Sequence, residues 1–339
     1  MSRPIAEFVR QPRTLVLAHR GASAAAPENT LPAFSAALAL GVDFVELDYL
    51  HSADGAPVVF HDDTLDRTTD AAARWGGKDI PFASKTLEEL RQLDAGGWFS
   101  SQFAGTRLAT LEEALALICR DSRCMIERKS GDAKTCVDLL RRLGVVDRVV
   151  LTSFDWQFLA ECHALAPELT LGALGDKALT AETIECAKAA GAAILGWDDK
   201  LVTREHVELV HRHELRAWVW TVDDAARAKE LVDLGVDGLI SNRPDAMLAA
   251  RASNAEKTLI TVATYNEIDN LPALVEEIFR HAPEADLLVI DDNSPDGTGK
   301  WCDEQAMKDP RLKVLHRRGK LGLGTAIVAG MRYAIERGY

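Results

Sequence analysis

The segment LVLAHRGASAAAPENTLPAFSAALALGVDFVELDYL, residues 15–50, has the pattern from which the fold of this chain is predicted. Two short apolar runs, 15–21 and 43–50, flank a stretch with the composition of a helix, LPAFSAALAL. Two parallel strands need a crossover connection between them, and that connection is usually a helix. The segment therefore predicts a strand, a helix and a second strand parallel to the first.

The same alternation continues to about residue 250. The apolar runs are 15–21, 43–50, 124–129, 148–154, 169–175, 192–197, 216–222 and 236–242. Helix-like stretches separate them, and several of these end on a glycine, the residue preferred just after a helix. Eight strand–helix units in about 250 residues predict a (β/α)8 TIM barrel over 1–250. A doubly wound parallel sheet is the alternative fold for this alternation.

The composition limits the classes of function. The chain has 339 residues, of which 47% are hydrophobic and 27% charged, and its formal net charge is −13. No apolar run is long enough to span a bilayer, and the N-terminal segment lacks the apolar core of a signal peptide. We therefore expect no transmembrane segment and a cytoplasmic location. The acidic balance disfavours nucleic acid as a partner, because proteins that bind its backbone need a basic face.

Charged side chains close the first three apolar runs. The pairs are His19 with Arg20, Glu46 with Asp48, and Glu127 with Lys129. In the last two pairs the residues are two positions apart, so on a strand both side chains point to one face. The chemistry of a TIM barrel lies at the C-terminal ends of its strands. The pattern therefore predicts that these side chains meet at one active site.

The residue types in this group indicate metal-assisted cleavage of a phosphate ester. Two histidines, His19 and His61, are able to act as acid and base, and an arginine holds a phosphate through charge-assisted hydrogen bonds. Carboxylates in one pocket repel one another unless a cation neutralises them. An all-oxygen ligand set suits Mg²⁺ or Ca²⁺ and not Zn²⁺, so we expect one hard divalent cation.

One connection departs from the regular alternation. Residues 51–108 are long for a strand-to-helix connection, and they contain His61. A long insert at the catalytic end of a barrel is usually a functional loop or a small subdomain. We therefore expect the insert to cover the active site.

A set of motifs over residues 13–250 resembles the glycerophosphodiester phosphodiesterase family. The motifs, in family order, are His19-Arg20-Gly21, Pro27-Glu28-Asn29-Thr30, Glu46-Leu47-Asp48, HDDTLDRTT (61–69), Glu127-Arg128-Lys129, VWTV (219–222) and DGLISNRPD (237–245). Arg128 stands where an apolar residue is more usual, and Asp223 follows VWTV where asparagine is common. The resemblance implies a barrel enzyme that hydrolyses a glycerophosphodiester to glycerol 3-phosphate and an alcohol, using Mg²⁺ or Ca²⁺.

The resemblance also implies a role for each matched residue. The metal ligands are Glu46, Asp48 and Glu127, the acid–base pair is His19 and His61, and the phosphate contacts are Arg20 and Lys129. Glu28 and Trp220 are further candidates for the substrate pocket. The alternative interpretations are that Glu28 complements a helix dipole and that Trp220 packs in the core.

Other functions use the same residues. A lysophospholipase D would keep the catalytic set and accept an acyl chain, and an apolar groove at the barrel mouth would favour it. A module that binds phosphate or a lipid head group without turnover would not need two proton-transfer groups, so the histidine pair argues against it. The sequence leaves open the head-group alcohol, the choice between Mg²⁺ and Ca²⁺, the nucleophile (water or the substrate's 2-hydroxyl) and the oligomeric state.

Beyond residue 250 the chain changes character. A polar stretch of small residues at 251–257 predicts a linker. Three apolar runs, each followed by a helix-like stretch, then predict a small α/β domain at 258–339. These runs are 259–265, 286–292 and 312–317.

This second domain resembles the opening half of a GT-A glycosyltransferase of the dolichol-phosphate-mannose synthase type. The motifs are Thr264-Tyr265-Asn266-Glu267, DDNSPDGT (291–298) and GKLGLGTA (319–326). The residues that the resemblance places against a sugar nucleotide are Tyr265, Glu267 and Asp291 or Asp292. The family's metal-binding Asp-x-Asp is absent downstream of Asp292. We therefore expect weak nucleotide binding without sugar transfer, in either a piece of a longer fusion or a domain that has lost the activity.

Overall fold

A computed structural model of the chain describes residues 4–253, 258–337 and 339. The described residues form two units, divided along the chain between 253 and 258. Among them, no helix is both long and apolar enough to cross a membrane.

In the described part of the first unit, eight parallel strands close into a barrel and one short strand pairs antiparallel. The strands are β1 (Leu15–Ala18), β2 (Phe44–His51), β3 (Pro57–Val59), β4 (Cys124–Arg128), β5 (Val149–Ser153), β6 (Thr170–Gly175), β7 (Ala192–Asp198), β8 (Arg216–Trp220) and β9 (Gly238–Ser241). All except β3 pair in parallel in chain order, and β9 pairs again with β1. The TIM-barrel prediction is confirmed. A doubly wound sheet is excluded, because this ring has no edge strands.

Helices alternate with the barrel strands. They are α1 (Ile5–Phe8), α2 (Leu31–Ala39), α3 (Ala71–Trp75), α4 (Leu87–Leu90), α5 (Leu111–Asp121), α6 (Ala133–Leu143), α7 (Trp156–Leu165), α8 (Ala181–Ala189), α9 (Arg204–Arg212), α10 (Ala225–Leu234) and α11 (Pro244–Ser253). Thr110 begins α5 with a capping box that includes Glu113, which satisfies N–H groups left free at a helix start. Gly144 and Gly235 end α6 and α10 in the left-handed conformation that glycine adopts readily.

The last helix of the first unit extends into the predicted linker. Residues 251–253 are helical, whereas 254–257 lie outside the described residues. Helix α11 is rich in alanine, which favours a helix. Arg251 also forms an ion pair with the buried Asp43 and donates to the Thr14 carbonyl oxygen (3.4 Å). These contacts explain why 251–253 are helix rather than linker.

Alternation along the strands separates the barrel interior from the layer beneath the helices. Leu15 and Leu17 of β1 belong to the interior cluster, whereas Val16 belongs to the outer one. The interior cluster also contains Phe44, Met125, Val150, Leu174, Ile194, Trp218 and Ile240. Side chains two positions apart share a face of a strand, so this inward face continues into polar residues at the C-terminal ends. Those residues are His19, Glu46, Asp48 and Glu127.

The insert after β2 has a small core of its own. β3 pairs antiparallel with the end of β2, with Tyr49 opposite Val59. Leu50 of β2 packs in this core with the insert residues Val58, Phe60, Leu65, Ala71, Phe82, Leu90, Leu93, Ala95 and Leu108. The Phe60 N–H donates to the Asp48 carbonyl oxygen (3.1 Å). This bond holds the next residue, His61, beside the acidic end of β2.

The described part of the second unit is a three-stranded parallel sheet with a helix after each strand. Its elements are β10 (Leu259–Thr264), α12 (Leu271–His281), β11 (Asp286–Asp291), α13 (Thr298–Ala306), β12 (Leu312–His316) and α14 (Leu323–Glu336). On the central strand β11, Leu287 and Val289 pack into one apolar cluster, and Leu288 and Ile290 pack into another. Burial on both faces is typical of a parallel strand covered by helices. The predicted α/β architecture of this domain is confirmed.

Candidate active site

Three carboxylates converge at the C-terminal end of the barrel. Glu46 and Asp48 lie on β2, and Glu127 lies on the neighbouring strand β4, where it is the register partner of Asp48. One oxygen of each carboxylate lies within 4.8 Å of the others, and all three residues are buried. The structure therefore brings together the three residues that the resemblance assigned to a metal.

The charges in this cluster are only partly balanced by protein groups. Burial, and then the charges of Asp48 and Glu127, raise the pKa of Glu46 well above its usual range. Burial and the charge of Asp48 raise the pKa of Glu127 to about 7. Burial alone would raise the pKa of Asp48 as well, but the charges of Lys129 and Arg20 lower it. Two of the three carboxylates thus ionise with difficulty unless another positive charge is present.

The cluster fits a hard divalent cation. Its ligands are all carboxylate oxygens, as Mg²⁺ and Ca²⁺ prefer. Among the described residues, Asp48 Oδ1 is buried without a hydrogen-bond donor, although Lys129 Nζ lies 3.3 Å away. Lys129 also donates to Glu127 Oε1. Lys129, which is predicted to contact phosphate, therefore forms ion pairs with two of the three metal-ligand candidates, Asp48 and Glu127.

The loop after β1 places Arg20 beside the carboxylates. The Arg20 N–H donates to Glu46 Oε2 (2.6 Å), and its Nε lies 3.2 Å from Asp48 Oδ2. This geometry needs a positive φ at Arg20 (56°) and at Gly21 (83°). A Cβ on Gly21 would lie 2.6 Å from the carbonyl carbon of Ala33, so only glycine fits there. The His-Arg-Gly motif is thus explained by the local backbone as well as by its side chains.

His61 is held by a carboxylate that an arginine holds in turn. His61 Nδ1 lies 2.6 Å from Asp62 Oδ1. Arg67 donates to both oxygens of Asp62, from Nε (2.6 Å) and from Nη2 (3.0 Å). Burial alone would raise the pKa of Asp62, but the hydrogen bonds from Arg67 and His61 lower it to about 2. Because an ionised carboxylate only accepts hydrogen bonds, the proton of a neutral His61 lies on Nδ1, and Nε2 is available for proton transfer.

His19 is held by an amide instead. His19 Nδ1 lies 2.7 Å from Asn242 Oδ1, and its backbone N–H donates to the Ser241 carbonyl oxygen (2.8 Å). Burial and then the charge of Arg20 lower the pKa of His19 to about 4. This side chain is therefore neutral at neutral pH.

The candidate residues of the second unit lie at the ends of two adjacent strands. Tyr265 and Glu267 follow β10, Asp291 ends β11 and Asp292 comes next, its N–H donating to the Thr264 carbonyl oxygen (3.1 Å). Their side chains already have protein partners. Lys320 Nζ lies 4.8 Å from the centre of the Tyr265 ring, Asn270 donates to Glu267 (2.9 Å), Ser294 donates to Asp291 (2.6 Å), and Arg317 donates to both oxygens of Asp292 (2.5 and 2.7 Å).

Comparison with known proteins assigns the barrel to a family. Residues 19–246 match the Glycerophosphoryl diester phosphodiesterase family. The chain belongs to this family. A glycerophosphodiester phosphodiesterase of Caldanaerobacter subterraneus subsp. tengcongensis is 34% identical over 243 residues, which cover 70% of this chain and 97% of that protein. An Oleispira antarctica phosphodiesterase, solved in complex with the product sn-glycerol-3-phosphate, has a TM-score of 0.66 and 29% identity, covering 73% of this chain and 99% of that chain.

The second unit matches a different family. Residues 259–337 match Glycosyl transferase family 2. An undecaprenyl-phosphate mannosyltransferase of Micrococcus luteus is 51% identical over 83 residues. These residues are 24% of this chain and 34% of that protein. The chain thus spans about a third of the length of this mannosyltransferase.

Glu28 and Trp220, the two further pocket candidates in this phosphodiesterase-family barrel, have different surroundings. Glu28 accepts hydrogen bonds from Arg20 (2.8 Å) and from Arg67 (2.7 and 2.8 Å), whereas Thr30 caps helix α2. Glu28 thus links the two arginines and does not cap the helix. Trp220 ends β8 and is half-buried, and its ring meets that of Phe154 edge to face, with centroids 5.8 Å apart.

The structure adds residues to which the sequence analysis gave no role. Asn29 donates to Asp48 Oδ2 (2.9 Å) and accepts from the Asp48 N–H (3.2 Å), so it orients a metal-ligand candidate of this family's site. Arg67 links Glu28 to Asp62, as described above. Asn29 and Arg67 both lie inside quoted motifs, at 27–30 and 61–69. Motif membership was the available signal, but it does not say which side chain each residue contacts.

Proposed function

We propose that this protein hydrolyses glycerophosphodiesters to glycerol 3-phosphate and an alcohol. The observation that carries the proposal is a cluster of three carboxylates at the C-terminal end of a barrel that belongs to the glycerophosphoryl diester phosphodiesterase family, with His19 and His61 near enough for their charges to lower the pKa of Asp48. The bound glycerol 3-phosphate in the Oleispira antarctica phosphodiesterase supports the choice of product.

In this proposal Glu46, Asp48 and Glu127 hold one Mg²⁺ or Ca²⁺ ion. When bound, the ion lowers the pKa of a hydroxyl or water and neutralises charge on the phosphoryl oxygens. Arg20 and Lys129 contact the substrate phosphate. Both cations lie beside Asp48. A cation bound at the carboxylates would free Lys129 Nζ for the phosphate, because the charges of the neighbouring Asp48 and Glu127 would then be neutralised.

The two histidines transfer protons in the proposed reaction. One takes the proton of the attacking water or 2-hydroxyl, and the other gives a proton to the departing alkoxide, which is a poor leaving group without it. Both histidines have their Nδ1 engaged by an acceptor, Asp62 for His61 and Asn242 for His19. Nε2 is therefore the nitrogen that acts on the substrate in each case.

A substrate panel tests this proposal. Purified protein would be incubated with glycerophosphocholine, glycerophosphoethanolamine and glycerophosphoinositol, with and without chelator, and glycerol 3-phosphate would be measured. We expect release from at least one substrate and loss of release with chelator. Following the reaction by ³¹P NMR distinguishes the nucleophiles, since attack by the 2-hydroxyl forms a cyclic phosphate and attack by water does not. Binding of all substrates without release would indicate a binding module and contradict the proposal.

A lysophospholipid belongs in the same panel. Phe154 is 47% exposed and contacts Trp220, and both are apolar residues at the C-terminal ends of their strands, the end of the barrel that carries the proposed site. A lysophospholipase D would release lysophosphatidic acid from lysophosphatidylcholine faster than glycerol 3-phosphate from glycerophosphocholine. Replacing Phe154 by Ser should lower only the first of these two rates.

For residues 259–337 we propose weak binding of a sugar nucleotide without sugar transfer. The match to Glycosyl transferase family 2 and the position of Tyr265, Glu267, Asp291 and Asp292 at the ends of β10 and β11 support the binding. The match covers only about a third of the mannosyltransferase relative. Titration calorimetry with GDP-mannose tests binding, and Glu267→Gln should weaken it whereas the exposed control Glu284→Gln should not. Transfer from labelled GDP-mannose to a polyprenyl phosphate would contradict the proposal.

A further inference from the structure

A chain of hydrogen bonds links Asp223 to His19 through Asn242. Asp223 Oδ2 accepts from Asn242 Nδ2 (2.7 Å), and Asn242 Oδ1 lies 2.7 Å from His19 Nδ1. The three residues follow β8, β9 and β1, which are neighbours in the barrel. His19 is thus linked to an acidic side chain, as His61 is, but the link to Asp223 passes through the Asn242 amide, whereas Asp62 contacts His61 directly.

The direction of these hydrogen bonds depends on the Asp223 carboxylate. Besides Asn242 Nδ2, the carboxylate accepts from the Asn242 backbone N–H (2.8 Å) and from Ser241 Oγ (3.0 Å), both at Oδ1. A carboxylate accepts and does not donate, so the amide must turn its NH₂ group to Asp223 and its oxygen to His19. The two ends of an amide have nearly the same shape, so without such a partner either orientation would fit.

The hydroxyl of Ser23 is compatible with this orientation of the amide. Ser23 Oγ lies 2.9 Å from Asn242 Oδ1 and 2.8 Å from the His19 carbonyl oxygen, and a hydroxyl can donate to either. With an oxygen at this end of the amide, both His19 and Ser23 can donate to it. With an NH₂ group there, the proton of His19 would have to move to Nε2.

We propose that Asp223 is a positioning residue that fixes the tautomer of His19. By orienting the Asn242 amide, it keeps the proton of neutral His19 on Nδ1 and the lone pair on Nε2, the nitrogen that transfers protons in the proposed function on which this inference rests. Asp223 acts through Asn242 and needs no contact with the substrate. It gives His19 the arrangement that His61 obtains directly from Asp62.

Asp223→Asn tests the proposal because it reverses the direction of the hydrogen bonds between residue 223, Asn242 and His19, while the side chain at position 223 keeps its shape. The oxygen of the introduced amide would still accept from the Asn242 backbone N–H, but its NH₂ group would face the Asn242 side chain. Asn242 would then turn its own oxygen to position 223 and its NH₂ group to His19. We expect kcat for glycerophosphodiester hydrolysis to fall about 10²- to 10⁴-fold, the range for losing a positioned acid or base, with KM changed less than about threefold. The matched control is Asp224→Asn, at the neighbouring residue that caps α10.

Moving the carboxylate from position 223 to position 242 should restore kcat. In the double variant Asp223→Asn/Asn242→Asp, the carboxylate at position 242 would accept from both His19 Nδ1–H and the NH₂ group of the amide at position 223. We expect kcat within about tenfold of the unmodified protein, well above that of Asp223→Asn alone. A residue that served only to stabilise the β8–β9 loops would not be rescued by exchanging the two side chains. If Asp223→Asn fails to fold, the folded double variant alone decides, and an inactive double variant overturns the proposal.

The tautomer itself is measurable without activity. In ¹⁵N-labelled protein, two-bond ¹H–¹⁵N correlation spectra distinguish Nδ1–H from Nε2–H histidine, and the His19 signals are those lost in His19→Gln. We expect Nδ1–H in the unmodified protein and in the double variant, and Nε2–H in Asp223→Asn. An unchanged tautomer in Asp223→Asn overturns the inference. Lack of hydrolysis by the unmodified protein, with the expected tautomers, overturns the proposed function and leaves the positioning role supported.

Discussion

The two units of this protein each place acidic side chains at the C-terminal end of a parallel strand, but with different results. In the barrel, Glu46 and Asp48 are joined by Glu127 from the adjacent strand within 4.8 Å. In the second unit, Asp291 ends β11 and Asp292 follows it, and among the described residues no group of three ligating side chains there lies within 4.8 Å of one another. A strand end with two acids is therefore not by itself a metal site.

Spacing and neighbours account for the difference. Glu46 and Asp48 are two positions apart and share a face, whereas Asp291 and Asp292 are adjacent in sequence, and consecutive side chains of a strand point to opposite faces. Arg317 forms an ion pair with Asp292, and its hydrogen bonds lower the pKa of that carboxylate. In the barrel, by contrast, the pKa of Glu46 and that of Glu127 are raised, so these carboxylates lack enough positive charge around them. Only the barrel cluster needs a further cation.

The largest expected effect contrasts the two acidic sites directly. Glu46→Gln should lower kcat/KM for glycerophosphodiester hydrolysis about 10³-fold or more, because a bound metal contributes several kcal/mol to such a reaction. Asp291→Asn should leave the same rate unchanged. Chelator should abolish hydrolysis, and Mg²⁺ or Ca²⁺, but not Zn²⁺, should restore it. Full hydrolysis in excess chelator would remove the distinction between the two sites.

Substituting the barrel histidines tests whether they transfer protons. His61→Ala and His19→Ala should each lower kcat about 10²- to 10⁴-fold and change KM little, as expected for proton transfer. His316→Ala, beside Asp291 in the second unit, should have no effect on the barrel reaction. Steady-state kinetics on one substrate measure all three. Near-normal turnover in His61→Ala would make His61 structural.

Arg20→Ala should change KM as well as kcat, unlike the histidine variants. Because Arg20 would hold the phosphate in both the ground state and the transition state, its loss should raise KM and lower kcat, each about tenfold. Arg317→Ala, which removes the partner of Asp292, is the matched arginine control and should leave both constants unchanged. An Arg20→Ala variant with an unchanged KM would exclude Arg20 from phosphate binding.

The raised carboxylate pKa values predict a pH dependence of metal binding. With the pKa of Glu127 raised to about 7, the metal-free fold keeps a proton that the unfolded chain has already lost. This group's contribution to stability is present at acidic pH and is lost as pH rises through about 7. A cation binds the ionised form, so its increase of Tm should be larger at about pH 8 than at about pH 5. Thermal unfolding with and without Mg²⁺ measures this, and an equal increase at both pH values would contradict it.

The smallest expected effect is that of removing the second unit. Deleting residues 258–339 should change kcat/KM for hydrolysis less than about threefold, because every residue proposed for that chemistry lies in the first unit. The full chain carrying Glu267→Gln is the companion variant, and it should retain hydrolysis completely. Loss of hydrolysis on deletion with an intact Tm would show that the second unit contributes to the barrel's activity.

Local patterns in the sequence predict much of the architecture of this molecule. Alternating apolar runs and helix-like stretches predict both α/β units, because side-chain periodicity follows from strand and helix geometry within a few residues. The two-residue spacing of Glu46 with Asp48 and of Glu127 with Lys129 likewise predicts a shared face without any knowledge of the fold. The linker prediction for 251–257 did not anticipate the ion pair of Arg251 with Asp43, 208 residues away in sequence.

The contacts between these local elements depend on how the whole chain folds. Closure of β9 onto β1 puts Asn242 beside His19, 223 residues away, and Asp223 behind Asn242. The hairpin of the insert puts Arg67 between Asp62 and Glu28. Side-chain periodicity predicts the face on which a residue lies, but its partner on that face depends on which strands become neighbours. That pairing is set by closure of the whole barrel, which no local stretch of sequence encodes.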